Sequence, residues 1–237
     1  MSVIWHDLEC GPYAEDLALW RSLAAQHGEP VLDVGAGTGR VALDLARHGH
    51  SVTALDRDSE LLAELARRAD GLDVETVVAD ARDFALGRRF ALCLVPMQTI
   101  QLLPGPLERG RFLRCARRQL QAEGLIAIAI SEEIELYEML DGVAGPFPDM
   151  CELDGVVYSS LPTAVRADSE GFVLERRRET VFASGERTVE HSAIRLDRLT
   201  SAQLEAEARR AGLHPAGRVA IPETNDYTGS SVLMLRA

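Results

Sequence analysis

The residues 31–40, VLDVGAGTGR, restrict the fold more than any other stretch of the chain. Four strand-like residues precede three glycines at alternate positions, and an amphipathic helical pattern begins directly afterwards. Glycine permits a sharp turn and a close approach of the backbone to a ligand. The helix that follows presents free N–H groups and a partial positive charge at its start. The stretch therefore predicts a strand, a ligand-binding loop and a helix, which together form the first unit of an α/β protein.

Two known loop types compete for this stretch. The dinucleotide fingerprint is G-x-G-x-x-G, but here the third glycine, Gly39, comes one residue early. The pattern Asp33-x-Gly35-x-Gly37-x-Gly39 resembles motif I of the class I methyltransferases that depend on S-adenosylmethionine (SAM). In that family the loop, which here includes Ala36, wraps the methionine portion of the cofactor. An ordinary strand-to-helix turn in another α/β protein stays open as an alternative.

An acid follows the second predicted strand, at 51–55. Asp56 comes about 20 residues beyond the glycine turn, where a carboxylate accepts hydrogen bonds from ribose hydroxyls. NAD enzymes share this device, so Asp56 indicates a nucleoside without saying which one. Asp58 is the better N-cap for a helix at 59–69. Arg57, between them, is included in the predicted cofactor site.

A second acid, Asp80, follows the strand predicted at 74–79. The resemblance implies that Asp80 receives the adenine amino group and that the backbone amide of Ala81 meets a ring nitrogen. A carboxylate is a suitable acceptor for an exocyclic amine on chemical grounds alone. A turn-forming role for Asp80 is the alternative.

The fourth predicted strand, 90–95, ends in Pro96, Met97 and Gln98, where the family positions its reacting groups. This sequence departs from the pattern of DNA amine methyltransferases at that point, which argues against a nucleobase amine as acceptor. Met97 and Gln98 are predicted to contact cofactor or substrate, with a helix-initiating turn as the alternative. Tyr13, before the glycine loop, is the remaining predicted cofactor contact, with a half-buried core aromatic as its alternative.

The sequence does not assign a catalytic base. His191 is the candidate, because a neutral imidazole suits removal of a proton from an attacking amine or hydroxyl. A structural role for this histidine is the alternative. The arginines at 176–178 are predicted to form a solvated strand face that pairs with Glu175 and Glu179.

Composition limits the partners and the compartment. The net charge is −12, which opposes docking on a phosphate backbone and predicts no nucleic-acid partner. Neither a spanning apolar run nor a basic region followed by an apolar core is present, so we expect no membrane partner and a cytoplasmic protein. The four cysteines and six histidines lack zinc-ligand spacing, which predicts no metal.

The order of elements predicts an α/β fold. Five strands alternate with helices from 31 to 130, an antiparallel β insert follows at 131–199, and a helix at 200–211 precedes two last strands, at 215–221 and 231–236. Residues 5–11 are predicted to be turn-like, residues 13–26 helical, and residues 132–140 a short helix. The order resembles the doubly wound, seven-stranded, mostly parallel sheet of class I methyltransferases in a single domain, 1–237. The insert is predicted to be a substrate lid, a dimer surface or both, and a homodimer stays open.

The resemblance implies an enzyme that moves the sulfonium methyl of SAM to a nitrogen, oxygen or carbon of a small-molecule acceptor and leaves S-adenosylhomocysteine (SAH). Alignment of the reactants and exclusion of water can supply much of the rate acceleration of methyl transfer. Two alternatives remain open. One is a non-catalytic module that binds SAM or SAH, and the other is a nicotinamide-dependent oxidoreductase. The chain contains no lysine, so the Tyr-x-x-x-Lys constellation of many such oxidoreductases is missing.

Overall fold

A computed structural model describes residues 3–140, 145–224 and 227–237 of the chain. The helices are α1 (Val3–Cys10), α2 (Leu17–His27), α3 (Arg40–Arg47), α4 (Ser59–Arg68), α5 (Gly105–Gln119) and α6 (Ser201–Arg210), with a 3-10 helix at Thr99–Leu102. The strands of the main sheet are β1 (Val31–Val34), β2 (Val52–Asp56), β3 (Val74–Val78), β4 (Phe90–Val95), β5 (Leu120–Ile130), β11 (His214–Ile221) and β12 (Ser230–Arg236). The strands of a second sheet are β6 (Tyr137–Glu138), β7 (Asp149–Leu153), β8 (Val156–Ala167), β9 (Gly171–Val181) and β10 (Arg187–Asp197).

The main sheet has seven strands in the order β11-β12-β5-β4-β1-β2-β3. The five strands from β3 to β5 are parallel, and β12 and β11 add antiparallel pairs at the other end. Alternate strand residues face opposite layers. Leu32 and Val34 pack with α5 and α6 on one face, whereas Val31 packs with α2, α3 and α4 on the other. The predicted fold class, a doubly wound, mostly parallel seven-stranded sheet, is confirmed.

The insert between β5 and α6 forms the second sheet, in which every pair is antiparallel. Three of its strands, β8, β9 and β10, match the meander predicted from the turn signals at 168–171 and 184–186. The assignment of core and insert to one domain stays a prediction.

Two local predictions are wrong. Residues 5–11, predicted to be turn-like, belong mostly to α1, because Trp5 and Leu8 are three apart and bury one face of a helix. Residues 132–140, predicted to be a helix, contain β6 instead, because Tyr137 and Glu138 pair with β8. The short strand β7 was not predicted at all, and it also pairs with β8.

No helix among the described residues is long and apolar enough to span a membrane. Within residues 3–140, 145–224 and 227–237, no three His, Cys, Asp or Glu side chains are grouped so as to hold a metal ion.

Candidate functional site

The glycine loop connects β1 to α3 at the carboxyl edge of the sheet, and all three of its glycines have positive φ angles. These angles are 74° at Gly35, 54° at Gly37 and 95° at Gly39. A Cβ at Gly35 would overlap the side chain of Thr99, and a Cβ at Gly37 would overlap the ring of His6. Glycine is therefore required both by the backbone conformation and by the close packing around the loop.

Asp56 holds this loop in place. Its carboxylate accepts the N–H of Gly37 at 2.9 Å and, through the other oxygen, the N–H of Asp58 at 2.9 Å. The Asp58 side chain in turn accepts the N–H groups of Glu60 and Leu61, so Asp58 is the N-cap of α4, as predicted. Asp56 is thus adjacent to the loop and half-buried, with lone pairs left for a ligand.

Asp33 lies in β1 directly before the loop and is fully buried. Neither of its carboxyl oxygens has a hydrogen-bond partner of good geometry among the described residues, and the Ala42 backbone N–H lies only near enough to favour the charged form weakly. Burial raises the pKa of Asp33 to about 7, with the nearby Arg40 guanidinium acting in the opposite direction. A buried carboxyl group without a partner beside a glycine loop is suited to a cationic ligand group, which would restore its ionised form.

Asp80 and Ala81 follow β3 on the other side of the site. The Asp80 carboxylate pairs with the Arg82 guanidinium and accepts the backbone N–H of Arg82 at 2.8 Å, which lowers the pKa of Asp80 to about 2. Arg82 also pairs with Glu108 of α5 at 2.8 Å. Asp80 therefore does form a turn, and any adenine amine would share its carboxylate with Arg82. Ala81 lines a small apolar gap together with Val34, Val95, Thr99, Ile100, Leu103 and Phe112.

The residues after β4 adopt an unusual backbone. Met97 has φ 53°, a conformation that costs about 1–2 kcal/mol in a residue other than glycine. The Gln98 side chain donates to the Ser131 hydroxyl at 3.0 Å, which ties the end of β4 to the end of β5. Pro96 accepts the Thr99 hydroxyl at 2.8 Å through its carbonyl. Strain of this kind is typical of a functional site and supports the predicted importance of 96–98.

Tyr13 is buried behind the loop. Its ring lies edge-on to Tyr227 at 4.9 Å, and the Arg40 guanidinium is 5.0 Å from the ring centre. Arg40 also donates to the Tyr13 carbonyl at 2.8 Å and pairs with the buried Asp16. Arg57 is exposed and lies near enough to Asp80 to favour its charged form. Contacts of Tyr13 and Arg57 with a cofactor stay predictions.

Helix α1 contributes two side chains to the site that were not predicted from the sequence. His6 packs on Gly37, and its Nδ1 lies 3.1 Å from the hydroxyl of Thr38. Asp7 accepts that hydroxyl at 2.7 Å and pairs with Arg68 of α4. The apolar spacing of Trp5 and Leu8 is the signal in the sequence that indicates this helix.

The insert contains two further sets of predicted residues, the candidate base His191 and the arginines at 176–178. His191 is exposed on β10, the edge strand of the second sheet, and no described residue hydrogen-bonds to its ring. The partners predicted for the arginine run are wrong. Arg178 is buried and pairs with Glu9 of α1, and Arg176 pairs with Asp149 of β7. The Arg178–Glu9 pair forms because one face of the insert sheet packs against α1, whereas the Arg176–Asp149 pair lies within the insert, where β7 and β9 flank β8.

Residues 31–124, which contain the glycine loop and both acids, match the model of a family described as a methyltransferase domain. This match identifies residues 31–124 as a methyltransferase domain, in agreement with the predicted class I family of SAM-dependent methyltransferases. The predicted family and the predicted cofactor, SAM, are therefore confirmed. The match favours SAM over the nicotinamide alternative.

Two curated relatives of this methyltransferase match parts of the chain. The ribosomal RNA small subunit methyltransferase A of Deinococcus radiodurans is 34% identical over 125 residues, 53% of this chain and 39% of that protein. The cypemycin N-terminal methyltransferase of a Streptomyces species is 31% identical over 108 residues, 46% of this chain and 44% of that protein. The chain thus spans about two fifths of the length of each relative.

Solved methyltransferase structures share the fold along nearly the whole chain. The sugar N-methyltransferase KedS8 from Streptoalloteichus sp ATCC 53650 has a TM-score of 0.77 at 18% identity, with 98% of this chain and 90% of that chain covered. The SAM-bound amino pentose methyltransferase CalS10 from Micromonospora echinaspora has a TM-score of 0.73 at 19% identity, with 100% and 97% covered. At these identities the likeness shows the fold.

Proposed function

We propose that this methyltransferase transfers the methyl group of SAM to an amine nitrogen of a small molecule. The observation that carries the proposal is the set of groups around the glycine loop, above all the buried, unpartnered carboxyl of Asp33. Asp33 fits the α-ammonium of the methionine portion, and Asp56 fits the ribose hydroxyls. Ala81 and its apolar neighbours fit the flat face of adenine, with Asp80 at the amino group.

The bound cofactor supplies a sulfonium methyl group that is open to attack from the side opposite the sulfur. The protein's own residues hold and orient the two reactants. The strained Met97 and the anchored Gln98 present rigid backbone at the carboxyl edge of β4, where an acceptor meets the cofactor in this fold. Alignment and exclusion of water contribute most of such an acceleration, so the assignment does not depend on a catalytic base.

Nitrogen and small-molecule acceptors are supported by the relatives. KedS8 is named a sugar N-methyltransferase, CalS10 acts on an amino pentose, and the Streptomyces relative is an N-terminal methyltransferase. The net charge of −12 opposes a phosphate-rich acceptor. The absence of a nucleic-acid partner nevertheless stays a prediction, since the Deinococcus relative is a ribosomal RNA methyltransferase.

Calorimetric titration with SAM, SAH and NADH tests the cofactor site. We expect micromolar binding of SAM and SAH and none of NADH. Asp56→Asn and Asp80→Ala are expected to weaken SAM binding by about tenfold or more, because each removes a charged acceptor. Asp70→Asn, an exposed acid at the end of α4, is the matched control and leaves the affinity unchanged. Unaltered affinity in both site variants contradicts the proposed site.

The acceptor is tested separately by mass spectrometry after incubation with SAM. The panel contains amino sugars, peptides with free N-termini, phenols and a structured RNA. Methylation of the amines alone supports the proposal. Methylation of the RNA or of the phenols alone overturns the acceptor class. Saturable SAM binding without turnover of any acceptor favours the non-catalytic module.

A further inference from the structure

Helix α1 places a histidine ring against the glycine loop. The His6 ring packs on Gly37 so closely that a Cβ at that position would overlap Nε2. Gly37 is also the residue whose N–H is held by Asp56. His6 and Asp56 therefore flank the same loop residue, and the Asp56 charge is close enough to influence the imidazole.

A chain of two hydrogen bonds determines which ring nitrogen of His6 carries the proton. The Thr38 hydroxyl donates its single proton to the Asp7 carboxylate at 2.7 Å. The same oxygen lies 3.1 Å from His6 Nδ1, and because its proton is already used, it acts there as the acceptor. Nδ1 therefore carries the proton, and in the neutral ring Nε2 is left with a lone pair.

Nε2 faces the glycine loop and has no hydrogen-bond partner among the described residues. Burial lowers the pKa of His6. The negative charges of three acids act to raise this pKa: Asp7 on the same helix, Asp56 at the end of β2 and Asp58 at the start of α4. The positive charge of Arg68 on α4 lowers the pKa of His6 further. The ring is consequently neutral at pH 8, and Nε2 is available as an acceptor.

We propose that His6 Nε2 accepts a hydrogen bond from a ribose hydroxyl of the adenosyl cofactor, beside the hydroxyl that Asp56 receives. The inference rests on the proposed cofactor site and adds to it a residue from outside motif I. Asp7 and Thr38 are positioning residues in this arrangement, because they fix the tautomer without touching the ligand.

Binding of SAH and of its 2′-deoxy and 3′-deoxy analogues at pH 8 tests this role, with wild type compared with His6→Asn. Asparagine keeps a donor near the Nδ1 position for Thr38 but has no acceptor at the ε position. We expect wild type to bind the analogue that lacks the hydroxyl bonded to His6 about fivefold to tenfold more weakly than SAH. The Asn variant is expected to bind SAH that much more weakly and to be insensitive to the same deletion.

His6→Gln restores an acceptor near the ε position and is expected to recover part of the discrimination. If His6→Asn does not fold, Thr38→Val replaces it, since loss of the hydroxyl releases the tautomer and is expected to reduce the same discrimination. If His6 has only a structural role, His6→Asn lowers the affinity for SAH and for both deoxy analogues by the same factor. That result overturns the inference. A variant that binds all three ligands as wild type does, but turns over slowly, also overturns it. Failure of wild type to bind SAH at all contradicts the cofactor site itself.

Discussion

Asp33 is the residue whose ionisation matters most for this protein. Its pKa of about 7 lies above the value of about 3.9 for an exposed aspartate, because burial disfavours the charge. The folded state therefore binds more protons than the unfolded state between pH 4 and pH 7. The stability that this provides is fully present below about pH 4, is lost progressively as the pH rises to 7, and does not change further above that pH.

Asp33→Asn is expected to raise the Tm by about 3 °C at pH 8 and by much less near pH 4, where the aspartate is protonated in both states and the amide has no charge to replace. The same change is expected to weaken SAM binding by about tenfold and to abolish a rise in affinity between pH 6 and pH 8. Scanning calorimetry at pH 4 and pH 8 measures the change in Tm, and titration calorimetry at pH 6 and pH 8 measures the change in affinity. A variant with a lower Tm than wild type at pH 8 contradicts the explanation.

At this scale the sequence was informative wherever spacing marks the end of a strand. Asp33, Asp56 and Asp80 each lie at the carboxyl edge of the sheet, as predicted. The pairing of Arg82 with both Asp80 and Glu108 was not predictable, because Glu108 belongs to α5, which begins only after the next strand, β4. Spacing locates a residue on an element but does not identify its partners.

Helix α1 is the element that joins the core to the insert. On one side, His6 and Asp7 contact the glycine loop and α4. On the other, Glu9 accepts two hydrogen bonds from Arg178 at 2.7 and 2.8 Å and one from the Ser160 hydroxyl at 2.7 Å. Trp5 also lies edge-on to Tyr158 of β8.

Glu9→Ala is expected to lower the free energy of unfolding by about 3 kcal/mol, because it leaves Arg178 buried without its carboxylate. Denaturation in urea measures the change. Glu15→Ala, an exposed acid before α2, is the control and is expected to change the stability by less than about 0.5 kcal/mol. An equal effect of the two substitutions contradicts the structural role of the Glu9–Arg178 pair.

The two elements that were wrongly predicted share a physical reason. An eight-residue helix such as α1 is marginal in isolation, and a two-residue strand such as β6 has no local signal at all. Both are stabilised by β8, which lies far away in the sequence. The helices α3, α4 and α6 were predictable because their apolar spacing and caps are local. Thr200, for example, forms the capping box with Gln203.

The whole molecule is held together at a second point by Arg109. This buried arginine of α5 donates to both oxygens of Glu207 on α6, at 2.8 and 2.9 Å, and pairs with Asp197 at the end of β10. Asp197 also accepts the N–H of Gly105 at 2.6 Å. One guanidinium thus joins the helical layer to the base of the insert.

Arg109→Met is expected to lower the free energy of unfolding by about 3–5 kcal/mol, since the buried carboxylate of Glu207 and the half-buried carboxylate of Asp197 lose their cation. Urea denaturation checks this value, with Arg111→Met, an exposed arginine of the same helix, as the control. Addition of Glu207→Gln to the first variant is expected to recover part of the loss. If the double variant is no more stable than Arg109→Met alone, Glu207 is not the group left uncompensated.

The position of β12 sets the order in which a ribosome can complete the main sheet. This strand lies between β5 and β11, and it follows β5 by about a hundred residues. At a synthesis rate of about 5–20 residues per second, the edge of β5 waits for its partner for roughly 5–20 seconds. The exposed edge is the apolar run 125–130, which is a template for aggregation. Nascent chains arrested before β12 are therefore the forms that depend most on chaperones.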